Sequence, residues 1–185
     1  IKIYIVTYKA NELLKDCIES ILSSDISNFE YEINVINNYQ NLSINHEKIS
    51  VLNNDARPDF STGHLSRNWN QAIINGFVDI HKPDCDILVC IQSDEVLEKD
   101  WASKLVFIHE NYDFLSMGPG DSFHSYTIES IKKVGLWDER FCNIGYQEAD
   151  YFLRQVKYNQ KKCSINDFHH GRIHNTVYEK KFVEN

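Results

Sequence analysis

The sequence predicts an α/β fold in which helices flank a mostly parallel central sheet. Segments with the β-branched and aromatic composition of strands alternate along the chain with segments that have helical periodicity. The segment Ile87–Ile91 is a nearly continuous apolar run, which is typical of a central strand covered on both faces. The alternation continues without a linker or an internal repeat, so residues 1–185 are predicted to form one domain.

The N-terminal half supplies three predicted strands and two predicted helices. The strands are Lys2–Thr7, Glu32–Asn37 and Ile49–Leu52, all rich in β-branched residues. Asn11 can cap the first helix, and apolar residues recur after it at helical spacing. The apolar stripe of the second helix consists of Leu65, Trp69, Ala72, Ile73 and Phe77.

The C-terminal half continues the alternation with shorter elements. Its predicted strands are Ile87–Ile91, Phe114–Met117, Ser122–Thr127 and Lys162–Ile165. Its predicted helices are Trp101–Glu110, Ile128–Val134, which Gly135 closes, and Glu148–Tyr158. From Asp167 onward the chain is rich in His and Asn and has no periodicity.

Composition limits the possible partners and location. The formal net charge of -8 argues against nucleic acid as a partner, although a metal ion can still bridge the protein to a phosphate ligand. The longest apolar runs reach about half a dozen residues, too short for a transmembrane helix. The five cysteines, an odd number without C-x-x-C spacing, indicate reduced core thiols and a cytoplasmic protein. Because the chain starts in a strand without Met, we expect it to be part of a longer protein that could be peripheral to a membrane through its other parts.

Polar clusters follow several predicted strands at the sheet edge where open α/β folds bind ligands. They are Thr7-Tyr8, Asn37-Asn38, Gln92-Ser93-Asp94 and the segment 145–150. Neither a G-x-G-x-x-G motif nor a Walker G-K-[ST] motif is present to bind phosphate. A carboxylate with Mg²⁺ or Mn²⁺ can replace such a loop, so Asp94 is predicted to hold a divalent cation that binds a nucleoside diphosphate.

Taken together, these segments resemble the glycosyltransferases of the GT-A fold, especially the large inverting family 2. The resemblance covers almost the whole chain. It rests on six segments in the family's order: IVTYKANELLKDCIESILSS at 5–24, INVINN at 33–38, LSRNWNQAI at 65–73, ILVCIQSDEVLEKDW at 87–101, VGLWDERF at 134–141 and GYQEADYFLR at 145–154. The fourth is similar to the metal-binding D-x-D strand, and the last to the E-D-x-D-L-x-x-R segment.

The resemblance implies a nucleoside diphosphate sugar as donor. Tyr8 would lie beside the nucleobase and Thr7 would offer backbone contacts there. Asn37 stands where the family often has an Asp that contacts the base or the ribose. The remaining residues implied to contact the donor are Asp55, Arg67 and Ser93.

The resemblance also implies the chemistry and the acceptor, a saccharide or glycoconjugate. Asp94 would bind Mg²⁺ or Mn²⁺, and His169 or His170 would complete the metal shell. Glu148 would be the general base of an inverting transfer, and Asp150 would be the alternative base. On the acceptor side, Trp137 and Asp138 in a predicted loop are expected to contact the acceptor, with the indole ring stacking on a sugar.

Each assignment has a plainer alternative. Asp94 could only cap the turn after a strand, and Glu148 could only be a first-turn helix residue. Tyr8 could pack at an edge, and Arg67 could form a surface ion pair.

Three amides stand where the family pattern has carboxylates, and they keep a second function class open. They are Asn37, Gln92 and Gln147. Their presence is compatible with a binding module that has lost turnover. Nucleotidyl transfer is a third possibility, but the loop TYKANE after the first strand lacks the glycine-rich, basic character it normally has.

Overall fold

The computed structural model describes residues 1–9, 11–54, 64–117, 120–141, 145–159, 163–165 and 174–175. In chain order the elements are β1 (Lys2–Thr7), α1 (Asn11–Leu22), a 3₁₀ helix (Asp25–Asn28), β2 (Glu32–Asn37), β3 (Ile49–Asn53), α2 (His64–Phe77), β4 (Leu88–Gln92), β5 (Val96–Leu97), α3 (Trp101–His109), β6 (Phe114–Met117), β7 (Phe123–Tyr126), α4 (Ile128–Val134), α5 (Tyr146–Arg154), a π-helical turn (Gln155–Asn159), β8 (Cys163–Ile165) and β9 (His174–Asn175).

The described strands form a seven-stranded mixed sheet in the order β3-β2-β1-β4-β7-β6-β8. The strands β3, β2, β1 and β4 run parallel, so their C-terminal ends meet at one edge. The strand β7 is antiparallel to both β4 and β6, and β8 is parallel to β6. The prediction of an α/β fold with a mostly parallel sheet is therefore confirmed.

Side chains alternate between the two faces of this sheet and build two apolar layers. One layer packs Ile5 and Val89 against α1 and α3, and it encloses Trp101. The other packs Tyr4 and Cys90 against α2, α4 and α5. Because both faces of β4 are covered, its residues Leu88–Ile91 are fully buried, as the apolar run predicts.

Two details differ from the predictions. The last long helix starts at Tyr146, two residues earlier than predicted, and becomes π-helical from Gln155. The segment after Asp167 contains a short strand, His174–Asn175, which pairs antiparallel with Val96–Leu97. Two-residue strands have no readable period, so the sequence alone did not indicate this pairing. None of the helices in the described ranges is long and apolar enough to cross a membrane.

Candidate active site

Three of the predicted site residues lie side by side at the C-terminal edge of the parallel strands. Thr7 is in register with Asn37, and the Ser93 amide donates to the Val6 carbonyl at 3.0 Å. All three are buried, and the Thr7 hydroxyl lacks a hydrogen-bond partner within the described ranges. Because a buried hydroxyl without a partner is costly, Thr7 is suited to contact a ligand at this edge.

Two tyrosines and a lysine form an aromatic corner beside this edge. The Tyr8 and Tyr39 rings meet edge to face with their centroids 5.7 Å apart. The Lys9 ammonium lies 5.0 Å from the Tyr8 centroid and 4.9 Å from the Tyr39 centroid. Tyr39 is 42% exposed, so its ring is accessible to a flat partner. Tyr39 could not be predicted as a site residue, because a tyrosine in a polar turn has no distinguishing sequence pattern.

Asn37 shapes the turn that carries Tyr39. Its Nδ2 donates to the Gln40 carbonyl at 2.8 Å and to Asn53 Oδ1 at 2.7 Å, and its Oδ1 accepts from the Tyr39 amide at 3.3 Å. The side chain is 4% exposed, and its donors and its acceptor are already engaged. These hydrogen bonds support the turn that carries Tyr39, and the direct contact of Asn37 with the base or ribose stays a prediction.

We expect Tyr39→Ala to weaken the binding of UDP or GDP by about 5-fold to 100-fold, because stacking of a base on an aromatic ring contributes roughly 1–3 kcal/mol. Isothermal titration calorimetry measures this change. Tyr158→Ala is the control, since Tyr158 is also exposed but lies in the π-helical turn. Equal affinity in Tyr39→Ala and wild type would exclude the aromatic corner from nucleotide binding.

Asp121, a buried carboxylate at this edge that no sequence motif indicates, accepts hydrogen bonds from three side chains. Its Oδ2 accepts hydrogen bonds from Trp69 Nε1 at 2.8 Å and from Gln147 Nε2 at 3.0 Å. Its Oδ1 accepts from Gln92 Nε2 at 3.1 Å. Burial raises the pKa of Asp121 to about 6; the hydrogen bond from Trp69 opposes this shift and the charge of Glu148 adds to it.

The raised pKa of Asp121 predicts a pH-dependent stability. The folded state favours the protonated acid, so this contribution to the free energy of unfolding is complete below about pH 4 and is lost as the pH rises through about 6. Asp121→Asn removes the titration, because an amide has no ionisable proton in this range. It can keep the hydrogen bond to Gln92 if the Gln92 side-chain amide rotates and accepts. Between pH 4 and 7, the free energy of unfolding of the wild type should fall by up to about 3 kcal/mol relative to that of Asp121→Asn, as measured by urea titration. A stability difference that does not change with pH would contradict this prediction.

Glu148 lies in the first turn of α5, directly against Gly120. A Cβ atom built on Gly120, where φ is +59°, would lie 2.9 Å from Glu148 Oε1. The other oxygen, Oε2, is buried and has no hydrogen-bond partner among the residues that the structure describes. A half-buried carboxylate with one oxygen left unpaired can accept a proton or a hydrogen bond from a ligand.

Asp94 lies in the turn that joins β4 to β5. Burial, and then the charges of Glu95 and Asp94, raise the pKa of the Cys17 thiol in α1, which places both carboxylates near that helix. Within the described part of the chain, His, Cys, Asp and Glu side chains do not form a cluster of three or more suited to a metal. Asp94 is the carboxylate predicted to bind Mg²⁺ or Mn²⁺, and such a cation can fill its other positions with phosphate oxygens and water.

Trp137 belongs to the core, which corrects its predicted role as a sugar platform. It is 3% exposed, and its ring stacks on Tyr151 with centroids 4.2 Å apart and planes 5° apart. Its Nε1 donates to the Tyr126 hydroxyl at 2.9 Å. Both the face and the polar edge of this indole are therefore already occupied by protein groups.

Ion pairs engage three other predicted residues. Asp150 accepts from Arg154 Nη2 at 2.7 Å, and Arg154 also binds the backbone carbonyls of residues 134 and 136, so Asp150 could act as a base only if this ion pair opens. Asp138 accepts from Arg140 Nη2 at 2.6 Å, and this hydrogen bond is the main reason that its pKa falls to about 2. Arg67 is exposed and lies 3.5 Å from Glu139, the surface ion pair that was its plainer alternative. The remaining predicted residues, Asp55, His169 and His170, lie outside the described residues.

Comparison with known proteins identifies the fold. No protein-family model and no curated protein matches the chain. Among solved structures, it is similar to residues 1–349 of TarS from S. aureus, with a TM-score of 0.65, 12% identity and coverage of 99% of this chain and 62% of that chain. It is also similar to the mannosyltransferase PcManGT from Pyrobaculum calidifontis, whose structure contains GDP-Man and Mn²⁺, with a TM-score of 0.62 and 10% identity.

The alignment with PcManGT covers 89% of this chain and 53% of that chain. The same TarS fragment is also similar in its complexes with UDP and with UDP-GlcNAc, at 12% identity in each case. The chain thus spans 62% of the TarS fragment, 53% of PcManGT and 38% of the longer TarS chain. The strand order, the parallel edge and these similarities together show that the chain has a GT-A-like fold.

Proposed function

We propose that this chain transfers a sugar from a nucleoside diphosphate donor to the hydroxyl of a saccharide or glycoconjugate. The observation that carries the proposal is the buried, unpaired Oε2 of Glu148 at the C-terminal edge of the sheet. An acceptor hydroxyl needs a base, and this oxygen has no competing hydrogen-bond donor within the described ranges. The fold supports the same conclusion, since its structural neighbours were solved with UDP, UDP-GlcNAc and GDP-Man.

The transfer we propose is a single displacement with inversion. Glu148 Oε2 accepts the proton of the acceptor hydroxyl as its oxygen forms a bond to the anomeric carbon. The bond between that carbon and the diphosphate oxygen breaks, and the nucleoside diphosphate leaves with the electron pair. The residues proposed to hold the donor are Thr7, Tyr8, Tyr39, Ser93 and Asp94.

Mg²⁺ or Mn²⁺ fits the residues at this edge through Asp94. Hard cations are commonly bound through one or two carboxylates plus substrate phosphates, so Asp94 and the donor diphosphate provide a suitable ligand set. Such a cation, held by Asp94, would stabilise the negative charge that develops on the leaving diphosphate. The presence of Mn²⁺ in the PcManGT structure supports its use here.

The second candidate is a binding module that holds a nucleotide sugar without turnover. The buried amide of Gln147 and the half-buried amide of Gln92 favour it, because they place neutral groups where the family pattern has carboxylates. Their hydrogen bonds to Asp121 nevertheless keep a carboxylate between them.

Nucleotide binding itself is the common test of both candidates. We expect UDP, GDP, UDP-GlcNAc or GDP-mannose to raise the melting temperature when Mn²⁺ is present, because a ligand at 100 times its Kd stabilises a protein by about 2.7 kcal/mol. AMP with Mn²⁺ is the control for nonspecific effects. If no nucleoside diphosphate or nucleotide sugar shifts the melting temperature, both candidates are wrong.

A further inference from the structure

We propose that Asp121 is the positioning residue that holds the general base Glu148 in place. This inference rests on the proposed function, because it names what fixes the base of that reaction. The Asp121 carboxylate joins three elements through three side chains. They are α2 through Trp69, the end of β4 through Gln92, and the first turn of α5 through Gln147.

The connection to Glu148 runs through two pairs of adjacent residues. Asp121 accepts a hydrogen bond from Gln147 Nε2 at 3.0 Å. Its neighbour Gly120 lies against the carboxylate of Glu148, the residue that follows Gln147. A side chain on Gly120 would occupy the space next to Glu148 Oε1. A shift of Asp121 therefore moves both the residue before the base and the backbone against which the base rests.

The first turn of α5 depends on these contacts because its own cap is weak. The N-cap residue is Gly145, which has no side chain to accept from the free amides of the turn. Gln147 instead fixes the turn from its side, since its Oε1 accepts from Ser66 at 3.1 Å while its Nε2 donates to Asp121. Gln147 is 1% exposed, so water does not replace these partners.

The same contacts explain why amides stand at positions 92 and 147. A buried carboxylate needs donors, and Gln92 and Gln147 both donate to Asp121. A carboxylate at either position would face Asp121 with a like charge in a buried site, which is strongly unfavourable. The departure from the family pattern thus follows from Asp121 and does not require a loss of turnover.

A double-mutant cycle tests this role. UDP release from UDP-GlcNAc, or GDP release from GDP-mannose, is measured with Mn²⁺ in wild type, Asp121→Ala, Glu148→Gln and the double variant. We expect Asp121→Ala to lower kcat at least 10-fold while the KM for the donor stays within about twofold, because a displaced base loses rate without loss of binding. In the Glu148→Gln background it should lower kcat no further. Asp121→Asn, which keeps the size and the partners, should restore kcat to within about threefold of wild type.

Each outcome separates this inference from the proposed function. If Asp121→Ala lowers kcat by the same factor in both backgrounds, Asp121 does not act through Glu148 and the inference is wrong. If Glu148→Gln itself keeps the wild-type kcat, the proposed base is wrong. If Asp121→Ala does not fold, Gln147→Met takes its place in the cycle. This variant removes the hydrogen bonds of Gln147 to Asp121 and to Ser66 and leaves those of Trp69 and Gln92 to Asp121 in place. The same loss of kcat is expected, and an equal loss in both backgrounds would again contradict the inference.

Discussion

Glu148→Gln is expected to lower the rate of nucleoside diphosphate release by about 100-fold or more, which is the range for removing a general base. Donor affinity should stay within about twofold, because glutamine has nearly the same size and the uncharged amide affects only the proton transfer. Oε2 of Glu148 is buried and has no hydrogen-bond partner in the described part of the chain, so the substitution removes the oxygen proposed to accept the proton. Steady-state kinetics give the rate, and calorimetry gives the affinity.

Glu129→Gln is the matched control for this substitution. Glu129 also lies in the first turn of a helix, but it pairs with Lys132 at the surface of α4. We expect wild-type kinetics in this variant. If Glu148→Gln keeps its rate while Asp150→Asn abolishes it without unfolding the protein, the base is Asp150, and its ion pair with Arg154 would have to open during the reaction.

Asp94→Ala is expected to abolish the Mn²⁺-dependent part of nucleotide binding. Loss of a supporting group around a metal typically costs 10-fold to 100-fold in affinity, so removal of the protein ligand itself should cost about 100-fold or more. Metal-independent contacts at the aromatic corner would remain, so weak binding of UDP without Mn²⁺ should be the same as in wild type. Calorimetry with UDP in the presence and absence of Mn²⁺ separates the two contributions.

Asp100→Ala is the control for the charge change in this segment. Asp100 follows Asp94 by six residues, but it is exposed and paired with Lys104 at 3.0 Å. Its loss should leave nucleotide affinity unchanged with or without Mn²⁺. If Asp94→Ala binds UDP as tightly as wild type with Mn²⁺ present, Asp94 is not the metal ligand and acts only in the turn after β4.

The strands and the ligand-binding edge could be predicted from the sequence because their signals are local. The run around Val89 is apolar on both faces, and the polar residues after it mark the end of the strand. Parallel strands bring such ends to one edge, so Thr7 and Ser93 could be placed together without any knowledge of side-chain contacts. Asp94 and Glu148 were selected partly on their resemblance to family motifs, and their roles remain predictions.

The hydrogen bonds of Asp121 could not be predicted, because its partners are distant along the chain. Gln92 and Gln147 lie 29 and 26 residues away, and Trp69 lies 52 residues away. Each of these residues is ordinary in its own segment, and only the packing of α2 and α5 on the sheet brings them together. In the sequence, Gln92 and Gln147 indicated a possible loss of catalytic carboxylates, whereas in the structure both amides donate to the Asp121 carboxylate.

Trp137 shows the opposite error. Its place in a polar segment before Asp138 suggested exposure and a role in acceptor binding. In the structure the segment folds back onto α5, and the Trp137 ring packs flat on Tyr151. Stacking between two large rings buries more apolar surface than exposure to solvent would allow, so tertiary packing outweighs the local composition.

The most direct test of the proposed function is turnover of the donor by the wild-type protein. UDP release from UDP-GlcNAc and GDP release from GDP-mannose are measured with Mn²⁺ and with EDTA, and Glu148→Gln is measured in parallel. The proposed function predicts release from at least one donor, dependent on Mn²⁺ and lost in Glu148→Gln. If every donor that stabilises the protein remains intact, the chain is a nucleotide-sugar binding module and the proposed transfer is wrong.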